Sequence, residues 1–124
     1  MVDAFEESPL WDTYIKNDII ARDVNGNLKS IWEYVKGHKA YHLSYTKEWE
    51  KGFAKTRIDN LIGMVPELKE GHTIHIDAFM AYWQPENRPL SPWHAKPENG
   101  GIDMYKEVVT QRKIFKYWRE KGFD

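Results

Sequence analysis

The chain has 124 residues, enough for one ordinary domain, and its 18 Lys and Arg offset 19 Asp and Glu to a net charge of −1. So even a balance gives no field that favours nucleic acid or an anionic membrane surface. With no cysteine, disulfides, thiolate metal sites and thiol catalysis are excluded, and no run approaches the roughly 18 apolar residues of a membrane-spanning helix.

The opening "MVDAFEESPLW" is acidic and lacks the apolar run of a signal peptide. Residues 1–38 read as an irregular lead-in, with turns at Ser8-Pro9 and Asn25-Gly26. Within it, "SIWEYVKG" reads as a short helical turn stopped at Gly37. "KAYHLSY" then alternates as a strand over about 39–44. From Thr46, a candidate N-cap, the period becomes helical: Trp49, Phe53, Ile58, Leu61 and Ile62 recur on one face as far as Met64. Pro66 and Gly71 end that unit.

"HTIHIDAF" is the clearest strand, with Ile74 and Ile76 on one side and His75 and Asp77 on the other. A long loop with four prolines runs from Met80 to Gly101. "IDMYKEVVTQRKIFKYWREKG" then predicts a helix, with Tyr105, Val108, Val109, Ile114, Phe115 and Trp118 apolar and a stop near Gly122. "GFD" reads as entry into another strand.

From residue 39 the order is strand, helix, strand, helix, which is α/β grammar. The expected fold is a partial (β/α) barrel: about two parallel β-α units over 39–124 after the irregular segment 1–38. Two strands leave edges and apolar faces open, so self-association or the remainder of a barrel is expected to cover them.

Functional residues of parallel α/β folds gather at the carboxyl ends of strands. That places Ser44 and Tyr45 on one rim position and Asp77 on the next. A carboxylate there can attack an anomeric carbon, but a second carboxyl must protonate the leaving oxygen, about 5 Å away in a retaining enzyme. Spacing singles out none of the other acids, and Glu86 and Glu98 read as solvated loop carboxylates. Position alone leaves Asp77 equally well explained as a loop cap. His72, His75 and Asp77 suggest a metal, yet His72 and His75 point to opposite faces of a strand, so no metal and no cofactor is expected. Aromatic residues form 15% of the chain, more than a small core takes, so Tyr82, Trp83, Trp93 and His94 in the loop are candidate sugar contacts, with His75 and Tyr45 beside them. For Trp83 and Trp93, anchoring the loop to the body explains the residues equally well.

"AYHLSYTKEWEKGFAKTRIDNLI", "LKEGHTIHIDAF" and, after the loop, "QRKIFKYWREKGFD" resemble the catalytic barrel of family 101 glycoside hydrolases, the endo-α-N-acetylgalactosaminidases. "MVDAFEESP" is similar to the segment after a barrel strand in such proteins. The resemblance covers nearly the whole chain but only a middle section of that barrel. It implies a retaining enzyme that releases an intact disaccharide from mucin-type O-glycans, with an aspartate nucleophile matching Asp77. It also implies a glutamate acid/base near the end of the following strand, which would begin around Phe123 and so place the proton donor outside these residues. A secreted or cell-surface parent enzyme would fit such a substrate. The rival expectations are a non-catalytic carbohydrate-binding or structural element using Tyr82, Trp83 and Trp93, and a small metal-dependent hydrolase.

Overall fold

The computed structural model describes residues 3–76 and 89–124. Its sheet has three strands, β1 (Asp3–Phe5), β2 (Ser30–Val35) and β3 (His38–His42), in the order β1-β3-β2 with both pairings antiparallel. The run "SIWEYV" is therefore β2 and not a helical turn. Its β-branched and aromatic residues suit a pleated surface, and Gly37 at φ +85 lets the chain reverse between Val35 and His38. The first 38 residues thus supply two strands, together with α1 (Trp11–Lys16) between them.

Beyond His42 the pairing of β3 continues onto residues 19–21. The Ala21 amide donates to the His42 carbonyl at 2.9 Å and the Ser44 amide to that of Ile19 at 2.8 Å. One apolar core lies here, with Tyr14, Ile19, Ile20, Tyr41 and Leu43 buried and Trp11 and Phe53 packed against them.

The second core is helical. The expected single helix from Thr46 is two, α2 (Tyr45–Glu50) and α3 (Phe53–Met64), because Gly52 takes φ +83 between them. Ser44 rather than Thr46 is the N-cap, its Oγ accepting the Lys47 amide at 3.3 Å. A short α4 (Leu68–Gly71) follows, then α5 (Pro92–Ala95) and α6 (Met104–Glu120), the last capped by Asp103 through the Lys106 amide at 2.9 Å. Ala54, Ile58 and Ile62, spaced one turn apart on α3, meet Ile114 and Trp118 of α6, with Tyr45, Leu90 and Phe123 in the same cluster. Tyr105, expected on the apolar face of α6, is instead 75% exposed.

Residues 72–76 carry no regular secondary structure, although Ile74 and Ile76 pack partly buried against the second core. The described sheet is antiparallel throughout, and the expected parallel partner of β3 falls in part on residues outside those described. Beside this segment the Asp124 amide donates to the His72 carbonyl at 2.8 Å, so the chain leaving α6 returns to the start of it. Val35 on the edge strand, and Leu61, Met64 and Val65 at the end of α3, remain exposed.

The turn after residue 22 gives a direct stability test. The Gly26 amide donates to the Asp23 carbonyl at 3.0 Å with φ +87, and a Cβ there would lie 3.2 Å from the Trp93 indole. Gly26→Ala should cost about 2 kcal/mol from left-handed strain and crowding together. A denaturant midpoint unmoved from wild type would show that the ring yields and the turn relaxes.

Candidate functional site

Asp77, Tyr82 and Trp83, the centre of the predicted site, lie outside the described residues. Of the other predicted residues, Trp93 and His94 share α5, while Tyr45 opens α2 and His75 lies in the 72–76 segment. His75 is exposed. Trp93 is partly buried against the 23–27 turn, with the Lys96 ammonium 4.7 Å from its ring centroid and Gly26 against its edge. Tyr45 is 1% exposed and belongs to the second core, while His94 is fully buried. Neither ring is open to solvent.

What the fold does gather is a set of buried polar chains around residues 42–48, where β3 passes into α2. His42, Ser44, Thr46 and Glu48 are all buried. Ser44 Oγ donates to Glu107 Oε1 at 2.6 Å, the Thr46 amide to Glu107 Oε2 at 3.1 Å, and the Thr46 and Thr110 hydroxyls lie 3.0 Å apart. Burial raises the Glu107 pKa, while bonds from Ser44, Thr46 and the Tyr45 backbone pull it back towards the ionised form. On the other side of α2, Glu48 Oε1 accepts the Tyr14 hydroxyl at 2.6 Å and Arg57 at 2.5 Å. Burial, together with the Glu48 charge, drives the Tyr14 pKa strongly upward, so Tyr14 stays a phenol. The His42 ring is pushed down to about 4, by burial first and then by the Lys29 charge.

Residues 18, 91 and 94 form a third chain. Asp18 has φ +58, uncommon outside glycine, which turns the backbone out of α1 towards residues 19–21. Its carboxylate lies 2.8 Å from His94 Nε2, 3.2 Å from Arg22 Nε and 3.5 Å from Lys47 Nζ. Burial works to raise its pKa, but His94, Arg22 and Lys47 prevail and hold it below the usual value. On the far side of the ring, Ser91 Oγ sits 2.6 Å from His94 Nδ1 and accepts the Arg22 amide at 2.8 Å.

Serine, histidine and aspartate in hydrogen-bonded series invite an acyl-transfer reading. Accessibility argues against it: Ser91 is 2% exposed, and one lone pair of its oxygen is taken by the Arg22 amide. The chain is a clamp.

Family models, curated proteins and solved structures offer no match to this chain.

Among the described residues no group of three His, Asp or Glu could hold a metal ion, and no helix is long and apolar enough to cross a membrane. A cavity of about 410 Å³ opens between α3 and the end of α6, lined by Asp59, Ile62, Gly63, Pro66, Lys69 and Lys121. Its one carboxylate, Asp59, is paired with Lys121 at 3.1 Å and accepts the Tyr117 hydroxyl at 2.8 Å, so it is not poised as an acid or a base.

Sequence reasoning missed Asp18, Ser91, Glu48 and Glu107. Ser91 and His94 carried a local signal, since a serine before proline with histidine three residues on is cap spacing. Asp18 lies 76 residues from His94 and carried none.

Proposed function

We propose that the chain is a portion of a retaining glycoside hydrolase barrel acting on O-linked glycans, with Asp77 as its nucleophile. The observation that supports this best is the bond from the Asp124 amide to the His72 carbonyl. It brings the chain leaving α6 back beside the segment that leads to Asp77, while Tyr45, Ile74, Ile76 and the faces of α3 and α6 share one core. A β-α-β-α-β path requires that kind of return. The rest of such a barrel, or a second copy, would cover Leu61, Met64 and Val65. No observation favours the rival readings: Trp93 is engaged by the 23–27 turn, and no metal cluster stands among the described residues.

In the proposed chemistry the Asp77 carboxylate attacks the anomeric carbon and the aglycone oxygen leaves, protonated by a general acid. A dinitrophenolate leaves without that proton, so an activated aryl glycoside isolates the nucleophilic step. With the 2,4-dinitrophenyl α-glycoside of a galactosyl-N-acetylgalactosamine disaccharide, the chain should release a burst of up to one equivalent of phenolate. The peptide containing Asp77 should gain the mass of the disaccharide less one water. Asp77→Asn should give neither. A folded chain that remains unlabelled under these conditions would remove Asp77 as nucleophile.

A further inference from the structure

We propose that Asp18, His94 and Ser91 form a proton-operated latch, which fastens residues 90–95 to residues 18–22 at neutral pH and releases them when His94 takes up a proton. The inference is independent of the glycosidase reading. It rests on how donors and acceptors are matched along the chain. The Arg22 amide donates to Ser91 Oγ at 2.8 Å, leaving the serine hydrogen free for His94 Nδ1 at 2.6 Å. The ring's other nitrogen, 2.8 Å from Asp18 Oδ2, must then carry the hydrogen and donate it to the carboxylate. With the imidazole neutral and protonated at Nε2, each donor along the chain meets its own acceptor at 2.6–2.8 Å.

A second proton on Nδ1 weakens that matching. Nδ1–H and the Arg22 amide would both donate to Ser91 Oγ, and the serine hydrogen would have to turn to the Arg22 carbonyl. That oxygen lies 3.4 Å away and already accepts the Trp93 amide at 3.3 Å. The new charge would also be fully enclosed. The charged groups that reach the ring are Asp18 and Arg22, from the segment between α1 and the turn, and Lys47 from α2. Asp18 favours the imidazolium, but it is already shared with Arg22 and Lys47. Burial lowers the His94 pKa most, Lys47 and Arg22 add to the lowering, and Asp18 only partly offsets it.

What the latch holds is specific. The Arg22 amide and carbonyl bind Ser91 and Trp93, Lys29 Nζ reaches the Leu90 carbonyl at 3.1 Å, and the Ile102 amide reaches that of His94 at 2.7 Å. Opening at His94 would free the first two links, and with them the seat of Trp93 on the 23–27 turn. The latch joins parts of the chain far apart in sequence, so its state would set whether the 90–95 arm is docked.

The test is an NMR titration of the intact chain from about pH 7.5 to about pH 5, following the His94 ring and the amides of Arg22 and Trp93. The expected result is one shared midpoint below the ordinary histidine value of 6.5. Amide exchange at Arg22 and Trp93, corrected for the intrinsic pH effect, should rise through the same midpoint. Ser91→Ala removes the donor to neutral Nδ1 and should raise the midpoint. Asp18→Asn removes the charge that favours the imidazolium and should lower it. A His94 midpoint at or above 6.5, amides that do not follow the ring, or variants that shift in the same direction would each overturn the proposal. Should either variant fail to fold, the wild-type titration decides alone.

Discussion

Replacing Glu48 by alanine is expected to cost about 3–5 kcal/mol of folding stability, the range for breaking a buried, hydrogen-bonded ion pair. Glu48 is 2% exposed, and one of its oxygens accepts both the Tyr14 hydroxyl and an Arg57 nitrogen. The loss would not be two hydrogen bonds alone. Arg57, whose side chain is only 19% exposed, would keep its charge without its carboxylate partner, and among the described residues the Tyr14 hydroxyl would keep the bond from Arg57. Tyr14 anchors the first core and Arg57 lies on α3, so the pair ties the sheet layer to the helices. The surface pair Lys116 and Glu120 on α6 is the internal control, since its disruption should change stability by no more than about 0.5 kcal/mol. Urea denaturation of Glu48→Ala, Arg57→Ala and the double variant would measure the coupling directly. A Glu48→Ala protein within about 1 kcal/mol of wild type would mean that water reaches Arg57 and the site is not sealed.

The elements that could be read from sequence are those in which a local rule and tertiary burial agree. Ile114 and Trp118 are one turn apart on α6 and both are buried, and Ile58 and Ile62 behave likewise on α3. The strand starting near residue 39 is legible because Ala40 and Tyr41 fall between turn residues and end in the core. β2 is not, because Trp32 and Val35 on this edge strand both stay exposed and its pairing carries two register shifts. Gly37 reads as a helix stop, whereas its positive φ closes a hairpin. The single helix from Thr46 fails at Gly52, where nothing but backbone geometry separates α2 from α3.

The buried acids show a different limit. Glu48 and Glu107 are buried on α2 and α6, and their partners, Tyr14 and Arg57 in one case and Ser44 and Thr46 in the other, explain that burial. Those partners come from other elements, as Asp18 does for His94. Of the predicted site, His94 is a member of such a chain, and His75 stands apart from it.

Acidification should remove about 3 kcal/mol of stability as the pH falls from about 7 towards 4, with His42 responsible for most of the loss. The ring is 3% exposed on β3, and its pKa falls from an ordinary 6.5 to about 4 because burial penalises the imidazolium and Lys29 repels it. In the unfolded chain the same ring binds its proton near 6.5. Between these values the unfolded state holds more protons, so stability is complete above 6.5 and drains away as the pH drops towards 4. At about 1.36 kcal/mol for each pH unit of that interval, the total is about 3 kcal/mol.

His94 acts in the same direction below 6.5, since its folded pKa is also lowered. Glu107 opposes them. Its folded pKa is raised, so the native state binds its proton more readily and gains stability as the pH falls from that value to 4.5. Asp18, held below 3.8, contributes its loss only under that pH. For His42 the slope should be steepest midway between the two values, where the unfolded ring holds its proton and the folded ring does not. Stability measured by urea at steps from about pH 7.5 to about pH 4.5, for wild type and His42→Leu, separates the contributions. The variant should lose most of the slope, because leucine has nothing to titrate. A wild-type stability that is flat across the interval, or an NMR titration placing the His42 ring near 6.5, would show that the ring is solvated when folded and would sink the prediction.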